Sequence, residues 1–398
     1  MRQYCLTVYG QAKLDEVHEI FLRGRSSFID FSDGDSFDGE GDDWDEFELE
    51  RAFYRIDIDQ ALALYGNKNV PFEAAATGGR QLIHWANGLV FSVELDGGLI
   101  ESEFGPLALR AFGGRTYPDQ VDIDSSRPDF DIDTERVFAG GMVRYNVGSK
   151  FVPYFYGIVQ RDVNDDDILQ VGSSATRFDY NSYYIGGGAE GALLTNLRYG
   201  LEAAYQGGEN LSFDPSNATL AGQTTEEISA WAVDGRLDYF IRNKFSPRFS
   251  GGFTAATGDD DRLLHTTNTF GGNQPGTDDN AFNAFGLVNK GYAFSPSISN
   301  LIMGRAGASV YPLPDIERLR RFQLGAEFFT FFKFDDDAPI DEPSTDDAYL
   351  GFEADVYANW QIFSDLSLNA RYGAFLPSDT LIEDDVRHFF YSGVTLSF

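Results

Sequence analysis

Apolar and polar residues alternate without a break along 350–362. Leu350, Phe352, Ala354, Val356, Ala358, Trp360 and Ile362 fall on one face; Gly351, Glu353, Asp355, Tyr357, Asn359 and Gln361 fall on the other. A period of two with one wholly apolar face describes a strand lying between an oily and an aqueous medium. Ser364-Asp365 leaves room only for a tight turn. The alternation then resumes, with Leu366, Leu368, Ala370 and Tyr372 opposing Ser367, Asn369, Arg371 and Gly373. A last strand carries Phe390, Val394, Leu396 and the terminal Phe398 on its apolar side, as the final strand of an outer-membrane barrel does. From this hairpin Leu350, Phe352, Val356, Trp360, Leu366 and Leu368 are expected to face lipid.

The same reading along the chain predicts strands at 3–10, 18–31, 46–58, 72–83, 94–104, 105–116, 133–147, 149–162, 180–192, 194–207, 226–242, 244–257, 297–311, 317–334, 347–363, 365–376 and 386–398. Faces are clear at 231–242, where Trp231, Val233, Leu237 and Tyr239 oppose Asp234, Arg236, Asp238 and Arg242. They are unclear at 149–162, which is apolar on both sides. Tight links fall near Gly105, Gly148-Ser149, Leu193-Leu194, Asn243-Lys244, Tyr311 to Asp315 and Ser364-Asp365. Between them lie the long connections 32–45, 117–132, 163–179, 208–225, 258–296, 335–346 and 377–385; only 59–71 is long on the short side. Alternating short and long links are the asymmetry of a transmembrane barrel. The fold expected is therefore all-β: one large antiparallel transmembrane β-barrel of about 18 strands (16–18) over residues 1–398.

Parity adds a constraint. Neighbours joined by short links are antiparallel, so an odd strand count leaves 3–10 and 386–398 parallel. Single-chain bacterial barrels have an even number of strands, since each must pair on both edges. One strand is thus expected before Met1, or hidden within 59–104, and the seam between 3–10 and 386–398 is expected to lack an antiparallel ladder. Met1 to Gly10 has neither the apolar core nor the cleavage site of a signal peptide, which favours a strand and signal peptide upstream.

Composition narrows the class. No apolar run reaches the roughly 18 residues of a transmembrane helix, so a membrane role must use strands. Aromatics are 15% of the 398 residues and glycine numbers 42, a profile of sheets with interfacial aromatic girdles. A net charge of −33 argues against nucleic acid as a partner. The acids cluster in predicted connections, at Asp33 to Glu50, Asp162 to Asp167, Asp259 to Asp261 and Asp335 to Asp347. Arginine far outnumbers lysine and recurs on the polar faces of strands. A soluble sandwich or propeller would also alternate, but would carry lysine on its outward polar faces and need no regular long–short links. Cys5 is alone, so there is no disulfide framework.

The polar faces hold the candidate chemistry. Arg80, Arg110, Arg136, Arg144, Arg198, Arg236, Arg242, Arg248, Arg305, Arg321 and Arg371, with Lys333, are expected to project into the lumen. Guanidinium groups keep their charge and grip carboxylates through paired hydrogen bonds. Either they offer an anionic chain a ladder of weak sites, or they pair with Glu190, Glu202, Asp234, Asp238, Glu327, Glu353 and Asp355 as a rigid network; both can hold together. The histidines His18, His84, His265 and His388 show no ligand spacing, and no metal or cofactor is expected. Asp33, Asp35, Asp38 and Glu40 fail the calcium-loop pattern, because Phe37 and Trp44 occupy ligand positions. Gly186-Gly187-Gly188, among aromatics, reads as a packing or bend feature.

Gly78 to Gly98, GGRQLIHWANGLVFSVELDGG, resembles the alginate-export barrel family, with its Gly-Arg-Gln strand followed by Asp-Gly. Arg51 to Asp59, RAFYRIDID, is similar to the preceding strand there, and Phe282 to Phe294, FNAFGLVNKGYAF, to the long external loop. The closing hairpins match too. The resemblance implies an outer-membrane barrel of about eighteen strands with an arginine-lined, anion-selective lumen, and export of an acidic polysaccharide. Arg80 is the lumen arginine placed by motif. No catalysis is expected. The partners are then a polyuronate chain, the outer-membrane bilayer and periplasmic secretion-complex proteins. Two alternatives are a general or carbohydrate-uptake porin of the same architecture, and a barrel-embedded hydrolase, which would need a Ser/His pair that the four histidines do not supply.

Overall fold

A strand in lipid must pair both of its backbone edges, and successive hairpins meet that demand with the shortest connections. The computed structural model describes residues 2–30, 43–118, 120–165 and 167–397. Phe398, Phe37 and the upstream acids Asp33, Asp35, Asp38 and Glu40 lie outside the described residues. The strands are β1 (Arg2–Leu14), β2 (His18–Asp30), β3 (Asp43–Asp57), β4 (Glu73–His84), β5 (Ser92–Phe104), β6 (Leu107–Arg115), β7 (Arg136–Tyr145), β8 (Val152–Asp162), β9 (Ile168–Val171), β10 (Ser174–Arg177), β11 (Tyr180–Leu194), β12 (Leu197–Leu211), β13 (Thr225–Phe240), β14 (Arg248–Ala256), β15 (Leu301–Val310), β16 (Phe322–Phe332), β17 (Tyr349–Gln361), β18 (Leu366–Pro377) and β19 (Arg387–Leu396).

All but β9 and β10 join one 17-stranded sheet. Within it each strand pairs antiparallel with the next along the chain, β8 pairing directly with β11. Every strand expected from alternation has its counterpart. Three details differ. The turn placed at Leu193-Leu194 falls at 195–196, because β11 runs two residues further. The link 59–71 contains a helix, α1 (Ile58–Leu64), which explains its length. The connection 163–179 contains a hairpin of its own, β9 with β10.

Seventeen strands paired in series leave β1 and β19 running the same way. Among the described residues these two share no ladder. They meet through a side-chain hydrogen bond between Tyr9 Oη and Ser397 Oγ at 2.7 Å.

The outer face is the apolar one. Ile100, Phe155, Tyr183, Leu201, Trp231, Phe328, Phe352 and Val356 are exposed large hydrophobics whose neighbours along the strand are buried or half-buried, and Phe249 shares their parity. Trp360, Leu366 and Leu368 share the outward parity and are half-buried; Trp360 is braced by its Nε1–H to the Arg318 carbonyl at 2.9 Å. Leu350 departs from expectation. Pairing slips from Phe331↔Gly351 to Phe332↔Tyr349, and Gly351 has φ +146°. This bulge leaves Leu350 unpaired and turns it inward, 0% exposed, among Phe294, Leu301, Phe331 and Phe375.

Part of the inner wall is apolar too. Phe112, Phe138, Met142, Tyr154, Tyr156, Ile158 and Tyr184 pack against Trp85, Leu89, Val90, Phe91 and Phe282, which belong to connections folded into the barrel. This explains the two apolar faces of β8. Gly186 and Gly188 make room there for the inward Tyr156 and Tyr154 rings.

Val356 is 51% exposed on the lipid side. Val356→Arg is expected to destabilise the barrel by about 2–4 kcal/mol if mid-depth, read by urea unfolding from lipid vesicles. Ser250→Arg, on the lumen side, should cost well under that.

Candidate channel lumen

Inward residues of adjacent strands line up in hydrogen-bonded rows. One row runs Glu190, Gly200, Arg236, Gly252, Arg305, Phe329, Glu353 from β11 to β17. The next runs Arg198, Asp238, Ser250, Gly307, Glu327, Asp355, Gly373. A third runs Phe240, Arg248, Ser309, Gly325, Tyr357, Arg371. In the first row the arginines lie flat across glycines of the preceding strand. A Cβ at Gly200 would stand 2.7 Å from Arg236 Nε, and one at Gly252 would stand 2.6 Å from Arg305 Nε. Any side chain there would lift the guanidinium off the wall.

Most of the lumen cations are held by carboxylates. Arg110 pairs with Glu101 at 2.9 Å, Arg248 with Asp238 at 2.7 Å and Arg305 with Asp234 at 2.7 Å. Arg144 pairs with Glu190, and Arg236 lies 3.6 Å from that carboxylate and 3.1 Å from Asn87 Oδ1. Among the described residues Arg198, Arg242, Arg321 and Arg371 have no ion-pair partner. Arg198 lies over the Phe240 ring at 5.6 Å and Arg371 donates to Tyr292 Oη at 3.4 Å. Arg242 and Arg321 sit in short links beyond the strand ends, donating to the Thr195 carbonyl at 3.5 Å and Gln361 Oε1 at 2.8 Å.

Three expected lumen cations serve as fasteners. Arg136 is buried between Asp122, at 2.7 Å, and Asp162, at 3.1 Å, and ties connection 116–135 to the wall. Lys333 lies just past β16, buried, its Nζ donating to the carbonyls of Asp336 and Thr345. Both were read from strand parity, which carries no information about the connection closing over them. Arg80 is gripped by Asp96 across β4–β5, donates to the Leu49 carbonyl and lies 3.9 Å from the Tyr117 ring centroid. Sequence reasoning overlooked Arg55, paired with Glu101 at 2.8 Å, although its alternation with Tyr54 gives the same signal as the others.

Two connections fold into the barrel and narrow it. Residues 85–91 and 281–300 meet at an isolated bridge between Phe91 and Phe285, with Leu287 N–H donating to the Gly88 carbonyl at 2.8 Å. Wall carboxylates hold both. Glu202 accepts the Asn87 N–H at 2.9 Å and the Tyr156 hydroxyl at 2.6 Å. Glu353 accepts the backbone N–H groups of Tyr292, Ala293 and Phe294. A cavity of about 350 Å³ remains beside them, lined by Asn87, Asp234, Arg236, Arg248, Asn289 and Arg305 among others.

The outer part of the long connection is knitted by buried charge. Arg262 makes a bidentate pair with Asp279, at 3.1 and 2.6 Å. Asp259, 2% exposed, accepts N–H groups from Asp261 and Asn280. Burial, reinforced by the Asp279 charge, pushes its carboxyl up to about 7.

The sequence profile of the alginate export family matches residues 17–394. No curated protein matches the chain. Among solved structures, it is similar to Pseudomonas aeruginosa OpdK with vanillate: 12% identity, TM-score 0.53, 99% of this chain and 91% of that one covered. It is also similar to Pseudomonas aeruginosa OccK8 (OprE): 12% identity, TM-score 0.52, 98% and 91% covered. At such identity the likeness concerns the barrel fold alone.

Asp259 gives a pH test. Its folded pKa lies above the unfolded value, so its contribution is complete at low pH and lost as pH rises through about 7. Amides of 257–300 should lose hydrogen-exchange protection, after correction for intrinsic rates, between about pH 4 and 7, with no further loss above that. Asp259→Asn should remove that pH dependence.

Proposed function

The chain belongs to the alginate export family, and on that premise we propose that this outer-membrane channel passes an acidic polysaccharide, an alginate-like polyuronate, outward along its lumen arginines. One arrangement carries the reading. Arg198, Arg236, Arg248, Arg305 and Arg371 project into one stretch of the lumen, and Arg198 and Arg371 have no ion-pair partner among the described residues. A uronate carboxylate fits a guanidinium through two parallel hydrogen bonds. Several such sites, those at Arg236, Arg248 and Arg305 weakened by a wall carboxylate, would let a chain advance without being trapped. Asp234 and Asp238 would then keep the guanidiniums rigid and flat while lowering their net pull. No bond is made or broken, so no catalytic group or cofactor is required. The short-link rim, carrying Arg242 and Arg321, would face periplasmic secretion-complex proteins.

A general or carbohydrate-uptake porin is the second reading. The pairing of Arg144, Arg248 and Arg305 favours it, because neutralised cations attract anions weakly.

Planar-bilayer recordings separate the two. Polyuronate should block the ionic current at low concentration, and neutral oligosaccharide should not; indifference to polyuronate with passage of neutral sugars would favour the porin. Replacing Arg198, Arg236, Arg248, Arg305 and Arg371 together with serine should lower the anion-to-cation permeability ratio several-fold. An unchanged reversal potential in that variant would rule out arginine-based selectivity.

A further inference from the structure

The infolded connection carries a tight turn, 291–294, whose backbone N–H groups converge on one carboxylate. Tyr292 and Ala293 donate to Glu353 Oε1 at 2.5 and 2.7 Å, and Phe294 donates to Oε2 at 2.8 Å. Gly291, at φ +88°, precedes them, and a Cβ there would stand 2.4 Å from Oε1. Successive N–H groups after a left-handed residue form a concave nest suited to an anion.

The surroundings point to a carboxylate ligand rather than a permanent strut. Asp355, next along the same inward face, is fully buried, and neither of its oxygens has a hydrogen-bond partner. Arg371 stands beside the nest over the Tyr292 ring, at 5.4 Å, with no ion-pair partner among the described residues. Other wall carboxylates hold connections through fewer backbone groups: Glu202 takes the Asn87 N–H and a tyrosine hydroxyl, Glu327 the Asn289 side chain and Glu226 the Gly276 N–H, so among the described residues three consecutive N–H groups converge on Glu353.

We propose that the nest at 292–294 is a binding site for the carboxylate of a uronate unit, and that Glu353 fills it in the closed channel as an internal stand-in. This rests on the reading of the lumen as a polyuronate path. An incoming uronate carries the same planar group and finds in Arg371 a second, cationic contact. Exchange of one carboxylate for the other leaves no N–H unsatisfied, so it avoids the penalty of an open nest. The bound carboxylate then ties the turn to Arg371 on β18 in place of the tie to β17, beside the ring contacts of Phe294 with Phe375, at 4.2 Å, and with Phe331, at 5.1 Å.

The test is chemical rescue in planar bilayers, with glucuronate as the probe and glucose as the neutral control. Glu353→Ala should raise single-channel conductance several-fold, and millimolar glucuronate should return it toward the wild-type value while glucose does not. Glu353→Gln, which keeps the shape and one acceptor, should show a smaller rise and the same preference; it carries the test if the alanine variant fails to assemble. Wild-type conductance in both variants, or equal effects of the two sugars, overturns the proposal. Polyuronate block of the unmodified channel is read separately. Rescue without block would leave the nest standing and remove the export reading, whereas block without rescue would remove the nest alone.

Discussion

The backbone's need for a hydrogen-bond partner in lipid governs this molecule more than any side chain does. Each strand of the 17-stranded sheet answers it by pairing antiparallel with its neighbours in sequence, so every side chain on a strand has one of two assignments, toward lipid or toward the lumen. The apolar belt, the rows of charge and the inward connections follow from that division. At the seam the rule meets its exception. β1 and β19 run in the same direction, and the contact between them is made by Tyr9 and Ser397 side chains.

The division also explains what could be read without a structure. A strand between two media writes its orientation into every second residue, so Trp231 against Asp234, or Phe352 against Glu353, sufficed to find the strands and their faces. Leu350 was misjudged because a bulge shifts parity by one residue, and Gly351 looks like any other glycine in the sequence. The inward course of 85–91 and 281–300 was hidden for a different reason. Their apolar residues, such as Leu89, Val90 and Phe282, follow no period, and what they pack against is set by distant strands. Arg136 and Lys333 lie at strand ends, where alternation still holds but closure by Asp122 or Thr345 decides whether a charge is free.

Charge inside the barrel is organised at two levels. Wall carboxylates such as Asp234 and Asp238 hold guanidiniums, while Glu202 and Glu353 hold backbone N–H groups of the infolded segments. The same residue type thus stiffens the wall and pins the infolded segments to it. Much of the acid behind the net charge of −33 lies in connections outside the sheet, while on the inward rows arginines and carboxylates stand side by side.

The arginines that rest on glycines have a consequence for assembly. Slipping β12 against β13 by one residue would turn an apolar face inward, which the membrane itself forbids. A slip of two residues keeps every face correct, so the hydrophobic pattern cannot reject it. It would, however, replace Gly200 opposite Arg236 with Arg198 or Glu202, setting a like charge or a bulky side chain where the guanidinium lies. Glycine and arginine together therefore act as a key for register, rejecting the misalignments that alternation alone would let through.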